Sequence, residues 1–175
     1  LLLAIALMVS LPGVNTERIL ATGEIPVPVR RDPTLPWVVV AAVIVVLVMA
    51  GHNTFYVYIA PYLIDAAGFG PDRVAVLLFG YGLAGAVGVI VAGVVGDRYP
   101  RAGLIGAVAI AGVAMASLSI LTAMPLAVIV VVMVWAAGFG GIPALLQLRL
   151  LRAASVGVRD FASSVLVTAF NVGIG

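Results

Sequence analysis

The chain of 175 residues has no cysteine, no lysine, one histidine and only 9% charged residues. Without cysteine there are no disulfides, no thiolate nucleophile and no cysteine metal site. One histidine beside seven scattered carboxylates leaves no ligand set for a metal centre. An ordinary soluble domain carries roughly 25% charge, so the formal net charge of +2 does not point to nucleic acid as a partner. All nine basic residues are Arg, which reads as a compositional bias of the source. No cofactor is called for.

What is abundant is apolar length. Hydrophobic residues make up 64% of the chain, and the charges fall in short clusters. No charged side chain occurs between Asp32 and Asp65, between Arg73 and Asp97, or between Arg101 and Arg149, stretches of 32, 23 and 47 residues. About 18 or more apolar residues make a helix that crosses a bilayer, and the third stretch is long enough to cross twice. The expected fold class is an all-α polytopic membrane protein.

Residues 1–11 read as the end of an apolar helix, and residues 12–36 as a polar connector too rich in proline for a long helix. Residues 37–175 then hold spans of about 37–62, 74–96, 102–121, 126–148 and 161–175, the last truncated. The long stretch divides at Leu121–Pro125. The chain starts at Leu1 and stops inside an apolar run, so the expectation is an internal piece of a longer protein. Short loops rich in Arg remain cytoplasmic. Alternation of sides puts eight of the nine arginines at one end and only Arg73 at the other, which makes the connector cytoplasmic.

Ala84, Gly88, Ala92 and Gly96 recur every four residues, with Gly85 and Gly93 beside them, a small-residue stripe on which a second helix can approach closely. Gly80, Gly82 and Gly85 also spell G-x-G-x-x-G, with Asp97 17 residues beyond Gly80. A helix and a second strand cannot both fit between Gly85 and Asp97, so the dinucleotide fingerprint is rejected. Gly138, Gly140, Gly141 and Pro143 are expected to bend or loosen their span.

His52 is an ionisable side chain placed inside a span, expensive there and a functional candidate by default. Its ordinary pKa near 6.5 suits proton carriage. Asn53 is adjacent and Tyr56 one turn away, so His52, Asn53 and Tyr56 can line a cavity, with Asn171 as a further candidate. The alternative for His52 is a neutral ring hydrogen-bonded to a neighbouring helix. Tyr58 and Tyr62 read as an outer interfacial belt, and Trp37 suits the opposite interface. No span contains an acid, and the chain has no Lys, so no catalytic constellation exists and an enzyme is not expected.

The segment Gly93-Val-Val-Gly-Asp97-Arg98-Tyr-Pro100-Arg101 closes a Gly-rich span at the arginine-rich end. It resembles the loop signature of the major facilitator superfamily, with Gly93, Asp97, Arg98 and Arg101 matching and Pro100 in place of the turn glycine. The stretches HNTFYVYIAPYLIDAAGFGPDRVAVLLFGYGLAG and GIPALLQLRLLRAASVGVRDFASSVLVTAFNVGIG are similar to the second half of bacterial drug and sugar efflux permeases of the arabinose-efflux type, in the drug:proton antiporter branch. The resemblance implies the C-terminal six-helix half of a twelve-helix transporter, from the end of helix six through part of helix eleven. It implies a multi-pass protein of the bacterial inner membrane, with a missing N-terminal half as structural partner. The small molecule, drug-like or sugar, would be exported by proton antiport with alternating access. An importer of the same fold and a non-transporting membrane subunit are the alternatives. Asp97 would latch the two halves together in one state of the cycle.

Overall fold

The computed structural model describes residues 32–175. The expected helix end at residues 1–11 and the connector up to residue 31 lie outside the described residues. Six helices of a turn and a half or more follow: α1 (Leu35–Val57), α2 (Pro71–Arg98), α3 (Pro100–Leu118), α4 (Pro125–Gly140), α5 (Ile142–Ala153) and α6 (Arg159–Ile174). The first five carry Pro at their first or second position. A proline there forfeits an N–H that has no intrahelical partner anyway, and its fixed φ is already helical. The glycines of the G-x-G-x-x-G sequence lie in the interior of α2.

Among the described residues, four segments are long and apolar enough to cross a membrane: Leu35–Val57, Pro71–Arg98, Arg101–Leu118 and Pro125–Arg152, the last running through α4 and α5. Their mean hydropathies are 2.4, 2.3, 1.7 and 2.2. The outward faces remain apolar, with Ile90, Val94, Ile105, Val113 and Leu126 all exposed. Such faces need hydrocarbon around them, and helices suit it because every backbone group is satisfied within the segment. The protein is an all-α polytopic membrane protein.

Helix α1 does not end cleanly. One helical turn, Ile59–Pro61, and a π-helical turn, Tyr62–Ala66, prolong it. Pro61 has no N–H to give, so the hydrogen-bond ladder shifts register, and the Ala67 N–H reaches back to the Tyr62 carbonyl. Gly68 then takes φ +72°, the one positive φ among the described residues. That conformation lets the Phe69 N–H cap the Leu63 carbonyl at 2.9 Å. The Tyr62 hydroxyl donates to the Leu118 carbonyl at 2.5 Å, tying this tail to the end of α3.

Packing follows two seams. Helix α4 is gripped by α2 on one side and α3 on the other, while α1 pairs with α6, and α5 touches both groups. The α2–α4 seam is a meeting of glycines. A Cβ added at Gly88 would overlap the Ala137 carbonyl oxygen, and one at Gly140 would overlap the Gly85 carbonyl oxygen. Gly141 meets the Ala92 side chain, and Gly138 faces α3, where a Cβ would come 3.2 Å from the Ala111 nitrogen. Gly96, one turn further on, faces Leu145 of α5, so the α2 face of the seam is Gly85, Gly88 and Ala92. Gly93 is not on it, because it sits 100° around the helix from Ala92 and has nothing within 4 Å of its Cβ position. The glycines of α4 act chiefly through this close approach. The interruption they were expected to cause is confined to Gly141, a single turn residue between α4 and α5.

Gly88→Val should destabilise the protein by about 1–3 kcal/mol or more, because the obstacle is backbone and no rotamer change relieves it. Gly82→Ala, which enters open space, should leave stability unchanged or slightly raised. Melting of both variants in the same detergent checks this; a Gly88→Val variant as stable as the parent would contradict the seam.

Candidate functional site

Because the glycine seam draws α2 and α4 together, the larger side chains just beyond it come into one cluster. Tyr81 of α2 and Trp135 of α4 each stand ten residues from the Pro71 and Pro125 ends of their helices. At 1.5 Å per residue that is about 15 Å, half the depth of a hydrocarbon core of about 30 Å. Their rings are centred 5.0 Å apart and nearly edge-to-face. Helix α1 supplies His52, Phe55 and Tyr56 to the same cluster. The His52 ring lies flat on Phe139 at 4° from parallel, is nearly parallel to Tyr56 at 5.7 Å, and tilts against Trp135 at 5.2 Å. Phe55 meets Trp135 edge-on, and Tyr56 lies 5.4 Å from Tyr81.

Three polar atoms of the cluster are buried without a hydrogen-bond partner among the described residues: His52 Nδ1, the Tyr81 hydroxyl and Trp135 Nε1. Buried polar groups are nearly always paired, and leaving one unpaired costs about 1–3 kcal/mol. Trp135 is fully buried and His52 nearly so, while Tyr56 at 39% exposure opens the cluster on one side. The arrangement thus encloses two donors and an imidazole nitrogen among flat aromatic rings at mid-membrane depth, with Tyr56 at its open side and no charged side chain among them.

The residues expected from sequence divide accordingly. His52 and Tyr56 are in the cluster. Asn53 donates its amide to the Met49 carbonyl at 2.9 Å, within its own helix. Asn171 does likewise to Val167 at 2.8 Å and is exposed on α6. Neither amide enters the cluster. Tyr81, Trp135, Phe55 and Phe139 were missed. A signal for two of them was present, since Tyr and Trp normally gather at membrane interfaces and these two are ten residues deep.

At the arginine-rich end, Asp97 faces Arg152 of α5 at 3.9 Å, with both side chains substantially exposed. Such a pair is worth at most about 1 kcal/mol, so Asp97 is held only loosely. Arg98 stands over the Tyr99 ring at 5.8 Å, and Arg101 is exposed at the start of α3. A tighter junction lies nearby. The Asp32 carboxylate accepts from the Ser155 hydroxyl at 2.5 Å and from the Thr34 amide and hydroxyl at 2.8 and 2.5 Å. These bonds, that from Ser155 first, hold the Asp32 carboxyl below its usual pKa. The junction is therefore intact at neutral pH and is lost only as pH falls through that lowered value. It fixes the start of α1 to the loop before α6, so both lie at one membrane surface.

The model of the Major Facilitator Superfamily matches residues 1–175. A probable sugar efflux transporter of Helicobacter pylori strain J99 is 29% identical over 165 residues, 94% of this chain and 41% of its own length. A probable sugar efflux transporter of Helicobacter acinonychis is 27% identical over 175 residues, 100% of this chain and 44% of its own. One from Haemophilus influenzae strain PittGG is 27% identical over 173 residues, 99% and 42% respectively. The chain spans less than half the length of the curated relatives it matches. No solved structure matches it.

Removing an unpartnered polar atom should relieve its cost. Tyr81→Phe should leave thermal stability unchanged or raise it by up to about 1–2 kcal/mol. A clear drop in melting temperature would mean that the hydroxyl is already satisfied and that the cluster is a finished core.

Proposed function

The chain belongs to the major facilitator superfamily, and on that premise we propose that it forms the C-terminal half of a transporter that exports a sugar or a similar neutral polyol. The observation that carries this reading is the set of three unpartnered polar atoms inside an aromatic cluster at mid-membrane depth. Ligand sites combine apolar walls with a few converging polar groups. Substrates of secondary transporters bind near the midplane between the two repeats. The apolar C–H face of a sugar ring suits the Tyr56 ring, which is open on one side, with the partly buried Tyr81 ring beside it. Its hydroxyls suit Trp135 Nε1, the Tyr81 hydroxyl and His52 Nδ1, which are buried here and are reached once Tyr56 swings aside. Among the described residues no carboxylate joins the cluster, which favours a neutral substrate over a cationic drug, and the names of the relatives point the same way.

Transport follows from alternating access, in which this half rocks against the N-terminal half around the site. Asp97, with Gly93, Arg98 and Arg101, acts as the latch at the cytoplasmic rim. Its loose pairing with Arg152 supports this role, because a weak exposed pair is readily exchanged for a partner in the other half. Export is driven by proton antiport across the bacterial inner membrane. His52 is the ionisable side chain in this half's cluster, and it couples substrate to proton or contacts substrate alone. Asn53 and Asn171 contribute to the wall of the pathway, each with one amide N–H bonded to its own helix and its carbonyl oxygen still available.

Accumulation of labelled sugars in an efflux-deficient bacterial host producing the full-length protein tests the reading. Accumulation should fall, and a proton uncoupler should restore it. Trp135→Ala and His52→Ala, made at parental levels, should each lose at least about tenfold in export, in line with two lost ring contacts or one lost hydrogen bond. Uptake that the uncoupler abolishes would reverse the direction. Export unaffected by both variants would remove the site.

A further inference from the structure

On the flank of the helix bundle, away from the aromatic cluster, α2 and α3 both lean on α4 but diverge from each other. Between them lies a cavity of about 530 Å³, lined by residues that include Val91, Tyr99, Gly106, Ile110, Val134 and Gly138. Three properties define what can occupy it. Its lining is apolar except for the Tyr99 hydroxyl, and Val87, Val91, Ile110 and Val134 on its walls are exposed. It extends along α2 from Val87 to Tyr99, about 18 Å at the helical rise, close to one leaflet's share of a hydrocarbon core of about 30 Å. It ends at the arginine-rich surface, where the Arg98 guanidinium stands 5.8 Å over the Tyr99 ring and Arg101 opens α3. Neither arginine has an ion-pair partner among the described residues.

We infer that this groove is a binding site for an anionic phospholipid of the cytoplasmic leaflet, one acyl chain lying between α2 and α3 and its phosphate meeting Arg98 and Arg101. The apolar length accounts for the chain, and the two arginines that flank the lining residues Tyr99 and Ala102 account for the head, since arginine matches phosphate oxygens in a fixed fork. Helix α3 starts at the same place without a side-chain cap, so its free N–H groups add to the attraction. Gly106 has nothing within 4 Å of its Cβ position. Gly106 lines the cavity, so a larger side chain there enters the groove rather than the helix packing. The bound lipid wedges α2 and α3 apart next to Asp97, which gives the leaflet's composition a direct hold on the rim of this half.

The test uses the full-length protein in phosphatidylcholine vesicles doped with a phosphatidylglycerol that carries a photoreactive group midway along one acyl chain. Irradiation should label residues 87–110. Gly106→Leu should cut that label about tenfold by filling the groove, while Gly112→Leu, also in open space on α3 but outside the groove, should leave it unchanged. Arg98→Gln and Arg101→Gln should each lower the preference for phosphatidylglycerol over an equivalent phosphatidylcholine probe about fivefold, and this arm does not disturb the helix interior. Labelling indifferent to Gly106→Leu, or equal for the two headgroups in the parent, overturns the inference. So does absent label together with disulfide cross-linking of Gly106→Cys between copies, which would make the groove a protein interface; these 175 residues contain no cysteine, and any cysteine elsewhere in the full-length protein is replaced for this arm.

Discussion

Backbone against backbone at the α2–α4 seam is the constraint on which the rest of the structure depends. Gly88 under the Ala137 carbonyl and Gly140 under that of Gly85 leave no room for a Cβ on either helix. Lipid tails are as apolar as leucine, so helices in a membrane gain little from hydrophobic burial against each other, and close van der Waals contact takes its place. The same approach brings Tyr81 to 5.0 Å from Trp135. Packing and the candidate site are two consequences of one set of glycines.

The cluster that results is poorly suited to be only a core. A finished core would use Phe or Leu where this one has His52, Tyr81 and Trp135, and would avoid the cost of unpaired polar atoms in a medium without water. Proteins tolerate such local conflict mainly where function requires it. The contrast with Asn53, Asn171 and the hydroxyls of Thr54, Ser163, Ser164 and Thr168 is informative. Those groups all bond to a carbonyl one turn back in their own helix. Polar side chains in this chain find a partner when they can reach one, so the three that do not are set apart by position.

Sequence made the fold class readable, because charge-free stretches of bilayer length are a one-dimensional signal. The small-residue stripe was equally visible as a four-residue period, although which glycines faced the partner depended on angle: Gly85 does, and Gly93 does not. The aromatic cluster proposed as the site was half legible. His52 and Tyr56 share a helix and a face, so their neighbourhood follows from spacing alone. Tyr81 and Trp135 lie on other helices, and only the seam's geometry joins them to His52. The π-helical turn after Pro61 and the Asp32–Ser155 bond across 123 positions were likewise beyond reach, since one needs a register shift and the other the full path of the chain.

The most direct test of the account is whether substrate reaches Trp135. The chain has two tryptophans, and Trp37 is exposed far from the cluster at the start of α1. In a Trp37→Phe version of the full-length protein that retains export and has any other tryptophan likewise replaced, fluorescence reports Trp135 alone. The account predicts a saturable change in its emission on adding an exported sugar, absent in Tyr81→Phe at the same concentrations. Emission unchanged by a sugar that the same protein demonstrably exports would contradict it, and would return the aromatic cluster to the role of packing.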